Sequence, residues 1–315
     1  MNLNGLHHVT AVTSKAQQNL NFYTDLLGMR LVKKTVNQDD VSAYHLFYAD
    51  KLGSPGTDLT FFDWAQMAQN VIGSGSIVRT YLRVPSRAAL DWWANYLTER
   101  EIDHSGIVAF HQHDLIYLSD PEGQLLALVN DEGAPGGEPW DQGPVPVEFA
   151  ITGLYASELI TRDAGPTAFI LTEVMGYRQT AEYPDDDEGQ TIVFETGEGG
   201  AGREIYLVEQ PDAVNGHLGY GGVHHIAFRV ANDEEQQQWR RRLVGYGLPV
   251  SEFIDRFYFH SIYFRIPGGF LFEIATDGPG FAADEDPAHL GESLALPPFL
   301  EPQRARIEAG LKPLH

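Results

Sequence analysis

The chain contains no cysteine. Disulfides, thiolate nucleophiles and cysteine-type structural zinc sites are therefore excluded. Positive charge is scarce: 21 Lys and Arg stand against 44 Asp and Glu, a formal charge of -23. Such a surface repels nucleic-acid phosphates and anionic lipid headgroups, so neither is expected as a partner. No run of about 18 apolar residues occurs, so no membrane-spanning helix is expected. The opening residues Met1-Asn2-Leu3-Asn4 lack the basic region and apolar core of a secretory leader, which predicts a cytoplasmic protein. Apolar residues are plentiful at 43%, enough at 315 residues for more than one folding unit. Without thiolates, any metal must be held by His, Asp or Glu, which leaves iron, manganese, nickel or zinc. The acidic run Asp185-Asp186-Asp187-Glu188 lacks the glycine spacing of a calcium loop and reads as a solvated loop.

A pattern of one strand, one amphipathic helix and three strands recurs four times. Unit one spans 6–64, with a strand at 6–12, a helix capped by Ser14 and closed by Gly28, and strands at 30–36, 42–48 and 58–63. Unit two spans 75–131. Its strand at 77–84 precedes a helix that starts at Pro85-Ser86 and carries Leu90, Trp93 and Leu97; later strands include 115–119 and 124–129. Unit three spans 148–210, with a helix at 166–175 ending at Gly176 and strands at 177–182, 191–196 and 204–209. Unit four spans 221–281, with a helix capped by Asn232 and strands near 250–254, 258–266 and 270–276. A Gly-, Pro- and acid-rich linker at 132–147 divides residues 1–131 from 148–281. A tail at 282–315 carries a short helix near 302–310. The expected fold is α+β, with four βαβββ units paired into two curved-sheet domains.

Two histidine doublets open the first strands of units one and four: His7-His8 and His224-His225. Neighbouring strand residues point to opposite faces, so one histidine of each doublet is expected to face a cleft. In unit four, His224 shares the bulky face of Ile226, Phe228 and Val230, which leaves His225 with Ala227 on the open face. The repeat register then selects His8. In residues 270–276, Phe270, Phe272 and Ile274 form the core face and Glu273 lies opposite. A carboxylate there is costly to bury without a partner. Two imidazoles and one carboxylate are the ligand set of a facial triad that holds non-haem Fe(II) with open positions. Tyr263 is expected to share the cleft with Glu273. Unit two has Ala127 in place of the carboxylate and no histidine on its first strand, nor does unit three. One site is expected, and it requires units one and four to meet.

These features resemble the vicinal oxygen chelate superfamily, whose helix ending F-Y-x-x-x-L-G is matched by Phe22-Tyr23-Thr24-Asp25-Leu26-Leu27-Gly28. The resemblance sharpens to hydroquinone-type ring-cleaving dioxygenases over Leu6-His7-His8-Val9-Thr10, Tyr44-His45-Leu46-Phe47-Tyr48-Ala49-Asp50, Gly222-Val223-His224-His225 and Pro267-Gly268-Gly269-Phe270-Leu271-Phe272-Glu273. The tail residues 296–301 are similar as well. The resemblance implies Fe(II), with Mn(II) as the alternative ion, held at His8, His225 and Glu273. It implies catalytic roles around the metal for Thr10, His224, Arg256 and Tyr263. It also implies a small aromatic substrate and O2. The sequence is compatible with a homo-oligomer. His45 and His260 are expected to be structural. Two other functions fit the scaffold: a glyoxalase-type isomerase or lyase, which needs a fourth ligand from residues 58–63, and a non-catalytic protein that binds aromatic or drug-like ligands.

Overall fold

The computed structural model describes residues 2–184 and 189–315, so the acidic run 185–188 lies outside the described residues. The first unit comprises β1 (Leu6–Thr13), α1 (Ala16–Asn21) continued by a π-helical turn (Phe22–Leu26), β2 (Arg30–Asn37), β3 (Asp40–Ala49) and β4 (Asp58–Asp63). The second comprises β5 (Ser76–Val84), α2 (Arg87–Glu99), β6 (His104–Phe110), β7 (His113–Ser119) and β8 (Leu125–Asn130). The third comprises β9 (Leu154–Thr161), α3 (Gly165–Phe169) with a π-helical turn (Ile170–Val174), β10 (Arg178–Pro184), β11 (Gln190–Glu195) and β12 (Glu204–Glu209). The fourth comprises β13 (Val223–Val230), α4 (Asp233–Gly245), β14 (Ile254–Asp255), β15 (Phe259–Arg265) and β16 (Leu271–Pro279); α5 (Arg304–Gly310) lies in the tail.

Local chemistry accounts for most boundaries. Ser86 accepts a hydrogen bond from the Ala89 N–H at the start of α2, and Asn232 accepts one from Glu235 at the start of α4. Ser14 differs from its expected role. The cap position of α1 is Lys15, which makes no side-chain cap bond. The hydroxyls of Thr13 and Ser14 and the Ser14 N–H instead donate to Glu122, in the turn between β7 and β8. A carboxylate from the second unit thus serves the helix start of the first. Gly28 closes the π-helical turn at φ +69, and a Cβ there would lie 2.7 Å from Val145. The strand expected at 250–254 shrinks to Ile254–Asp255 plus a lone bridge from Val250 to Phe264.

Strand pairing joins the units as the fold requires. β1 runs antiparallel to β13, and β5 runs antiparallel to β9. Units one and four therefore share the order β14-β15-β16-β13-β1-β4-β3-β2. Units two and three share β6-β7-β8-β5-β9-β12-β11-β10. A single pair, Val223 with Ile77, links β13 to β5. The apolar faces of the helices, including Leu90, Trp93, Trp239 and Leu243, are buried in the main core. The opposite, concave faces form two clefts.

The tail closes over the first cleft through a buried cation. Lys33 on β2 is fully buried, and its Nζ donates to Phe281 O at 3.0 Å and Asp284 Oδ1 at 2.7 Å. It also pairs with Glu285 and lies 4.5 Å from the centre of the Tyr258 ring. An ammonium is excluded from water only when such partners replace its hydration. The Tyr258 hydroxyl donates in turn to Asp284.

Candidate metal centre

The register of β1 against β13 explains the doublets. Leu6 pairs with Phe228 and His8 with Ala227, so β1 has one extra residue, His7. Thr10 pairs with His225 and Ala11 with Val223, so β13 has one extra residue, His224. The first histidine of each doublet therefore occupies a β-bulge, which re-aims side chains and breaks strict alternation. His8 and His225 remain diagonal neighbours on one face. Ala227 pairs with His8 on one side and with Glu273 of β16 on the other. Its small side chain leaves the space across which those two groups approach.

His8, His225 and Glu273 are buried, and one donor atom from each lies within 4.8 Å of the other two. His225 Nε2 is 2.9 Å from Glu273 Oε2, His8 Nε2 is 3.3 Å from the same oxygen, and the two Nε2 atoms are 3.3 Å apart. Among the described residues no other group of three or more His, Asp or Glu converges in this way. Ser261 donates to Glu273 Oε1, whereas Oε2 has no hydrogen-bond partner despite the nearby imidazoles. Three donor atoms thus face a common point rather than one another. A buried carboxylate oxygen left this way fits a cation held among the three groups.

The outer histidines set the protonation of the inner ones. His7 Nε2 lies 3.1 Å from the Thr276 carbonyl, which can only accept, so that nitrogen carries the proton. Burial beside His8 lowers the His7 pKa to about 3, so its Nδ1 is bare. His8 Nδ1, 2.9 Å away, must then donate, so Nε2 is the nitrogen that His8 has to offer a cation at the convergence point. His224 Nδ1 stands 2.7 Å from His225 Nδ1 in the matching arrangement. Burial lowers the pKa of His225, so its ring is neutral, and lowers that of His224 to about 3. His7→Phe removes the orienting bond while keeping a ring of similar size. We expect metal affinity to fall about 10–100-fold, checked by competition with a metallochromic chelator; unchanged affinity would show that His7 only fills space.

The convergence point opens into a cavity. Its lining includes His8, His225, Tyr263 and Arg256, with Phe47, Phe62 and Phe259 as aromatic walls. Tyr263 pairs directly with Glu273 across β15 and β16, and its ring lies 5.6 Å from that of His225. Burial and Glu273 raise the Tyr263 pKa, which keeps the phenol protonated. Arg256 reaches across the mouth to Asp39 at 2.9 Å, and its Cζ lies 5.6 Å from the centre of the Tyr263 ring. Burial opposes the Arg256 charge, but Tyr263 and Asp39 hold its pKa above the usual value. Thr10 is fully buried and bonds Thr60 Oγ1 at 2.9 Å. His224 packs against Phe62 and Trp64 beside His225, outside the convergent set.

Sequence reasoning did not single out Ser261 as the group that orients Glu273, although its place two residues before Tyr263 put it on the same face. His45 also lines the cavity rather than serving only as strand structure. His260 instead meets Asp233 at 2.5 Å near the start of α4. Asp63 lies with Ser14 and Lys312 along a groove against the tail, away from the three converging groups. The second cleft shows why one site forms. The same two bulges recur there at Val78 and Tyr155. With β5 in the place of β1, the positions that match His8, His225 and Glu273 in register are Arg79, Ala156 and Tyr206; with β5 in the place of β13, the carboxylate position is Ala127, as the sequence repeat has it. Arg79 and Glu158 form an ion pair at 3.7 Å beside that point.

A sequence profile of the Glyoxalase/Bleomycin resistance protein/Dioxygenase superfamily matches residues 5–128 and 154–274. The chain is 45% identical over its whole length, and over the whole of the relative, to the "Putative ring-cleaving dioxygenase MhqA" of Bacillus subtilis (strain 168). It is 33% identical over 306 residues to the chlorohydroquinone/hydroquinone 1,2-dioxygenase of Sphingobium indicum, covering 94% of this chain and 92% of that one. A crystal structure of a "putative dioxygenase" from Bacillus subtilis superposes with a TM-score of 0.91 at 38% identity, covering 100% of this chain and 98% of the other. Glyoxalase I from Zea mays shares the fold at a TM-score of 0.64 and 10% identity, over 87% and 92% of the two chains. In profile, in full-length relatives and in fold, the chain belongs to the Glyoxalase/Bleomycin resistance protein/Dioxygenase superfamily.

Proposed function

We propose that this protein is an Fe(II)-dependent, extradiol-type ring-cleaving dioxygenase that uses O2 to open a hydroquinone-type aromatic. The observation that carries the reading is the buried convergence of His8, His225 and Glu273 on one point, with an unsatisfied carboxylate oxygen, at the floor of an aromatic-walled cavity. The names of the relatives support the same chemistry.

His8, His225 and Glu273 would hold the ion. Bound iron would supply a Lewis acid that favours a phenolate and a redox centre open to dioxygen. The remaining work falls to the chain. Phe47, Phe62 and Phe259 give the ring an apolar enclosure that excludes water. Tyr263 stays protonated and donates a hydrogen bond into the cavity. Arg256 stays cationic and favours negative charge developing on substrate oxygen. Thr10, through Thr60, fixes the strand surface beside His225. Tyr263 and Arg256 thus stabilise charge, while His7, His224 and Ser261 hold the three converging groups in position.

A glyoxalase-type isomerase is disfavoured because three groups converge, not four, among the described residues. A non-catalytic binder of aromatics has no use for two buried imidazoles aimed at a buried carboxylate. The test is anaerobic loading of metal-free protein with Fe(II) or Mn(II), followed by oxygen electrode measurements. We expect oxygen uptake with hydroquinone that requires Fe(II), and a ring-opened product. Turnover of a glutathione hemithioacetal without oxygen uptake would overturn the proposal.

A further inference from the structure

The cavity has a polar wall away from the three converging groups, and the roles assigned above leave it unused. His45 of β3 and Thr35 of β2 are directly opposed in register, and both line the cavity. The His45 ring is held between Phe47 and Phe62, with ring centres 3.9 and 4.4 Å away. Its Nε2 lies 2.9 Å from Thr60 Oγ1, which in turn lies 2.9 Å from Thr10 Oγ1. Burial pulls the proton affinity of His45 well below its usual value, so the ring is neutral. With Nε2 bonded to Thr60, the other ring nitrogen remains to meet a ligand. Thr35 is 2% exposed, and its Oγ1 completes no hydrogen bond. The Tyr258 hydroxyl is near enough to interact with Thr35, but its proton goes to Asp284. A buried hydroxyl that completes no geometric hydrogen bond, next to a neutral imidazole held between Phe47 and Phe62, suits a ligand oxygen.

Position selects which oxygen. The converging groups stand on β1, β13 and β16, whereas His45 and Thr35 stand beyond β4 on β3 and β2. Adjacent strands are spaced about 4.8 Å apart, so His45 is two strands and Thr35 three strands from the strand of His8. An oxygen seated between them is not the immediate neighbour of one held at His8, His225 and Glu273. It belongs to the opposite end of the same ring.

We propose that His45 and Thr35 bind the second hydroxyl of the substrate and select aromatic diols with hydroxyls across the ring over those with adjacent hydroxyls. The inference rests on the dioxygenase reading above and assigns the residues that recognise the far hydroxyl of its substrate. The hydroxyl donates to the free nitrogen of His45 and accepts from Thr35, and the Thr60–Thr10 chain holds the imidazole in the required tautomer.

The test is anaerobic calorimetry on Fe(II)-loaded protein with hydroquinone, catechol and 4-methoxyphenol, which lacks the second donor. The wild type should bind hydroquinone more tightly than either analogue. His45→Phe keeps the ring stack and Thr35→Val keeps the shape. Each should weaken hydroquinone binding, by roughly 10–100-fold for His45→Phe and less for Thr35→Val; 4-methoxyphenol, which has no proton to give His45, should bind His45→Phe as it binds the wild type. Metal content and thermal unfolding of each variant report whether the scaffold is intact; if His45→Phe does not fold, Thr35→Val and His45→Asn decide. An unchanged hydroquinone preference in the folded variants would overturn the proposal. So would a wild type that binds catechol as tightly as hydroquinone. Wild-type protein that loads iron but binds none of the three phenols would instead refute the dioxygenase reading itself, and this inference with it.

Discussion

His225→Ala is expected to abolish metal binding. The variant removes one of three donor atoms that face a common point, and no other group in the convergent set can replace it. Loss of an outer orienting partner costs about 10–100-fold in metal affinity, and loss of a ligand should exceed that. Glu273→Gln is the companion change. It keeps shape and keeps an oxygen for the Ser261 bond, but deletes the one negative charge facing the two imidazoles. Metal per chain, by atomic emission after anaerobic loading, should fall to background for His225→Ala and strongly for Glu273→Gln. Thermal unfolding gives an independent reading, because a ligand that binds only the folded state raises its stability in proportion to the logarithm of its concentration. Added Fe(II) should raise the wild-type melting temperature and leave that of His225→Ala unmoved. Unchanged stoichiometry in His225→Ala would remove that residue from the metal centre.

Lys33→Met should destabilise the fold by about 3 kcal/mol. The methionine fills much of the same space but leaves Asp284 and Glu285 facing each other at a buried strand without their cation. The tail then loses its charged anchor on β2, and Tyr258, bonded to Asp284, loses its placement at the cavity wall. Replacing both carboxylates as well, in Lys33→Met/Asp284→Asn/Glu285→Gln, should recover much of the loss, because removal of a whole ionic set costs far less than removal of one member. Urea unfolding of metal-free protein separates these outcomes. A Lys33→Met midpoint equal to wild type would show that the buried charge contributes nothing to holding the tail.

Much of the local structure follows from chemistry that a linear chain displays. Ser86 and Asn232 cap helices because their side-chain oxygens reach N–H groups three residues on. Ser14 was read the same way and differs, since Glu122 from the neighbouring unit competes for the same donors. The alternation of apolar residues chose His225 and Glu273 for one face, and the structure brings them to 2.9 Å. Alternation did not foresee the company of His7 and His224. Each sits in a bulge, and a bulge is defined by the partner strand. His45 was assigned to strand structure because nothing near it in the chain signals a cavity. Its neighbours there, Thr35, Thr60 and Phe62, come from other strands.

The sequence by itself determined the composition of the site: no thiolate, two doublets and one carboxylate in matching places of a fourfold repeat. It also implied that the first and last units meet, since two histidines and one glutamate on separate strands can share a point only if those strands are neighbours. The tertiary structure alone decided how the two rings of each doublet meet through Nδ1, how Ala227 opens the space between His8 and Glu273, and how Lys33 binds the tail across the cleft. These features depend on distances of a few ångströms between groups far apart in the chain, which periodicity cannot encode.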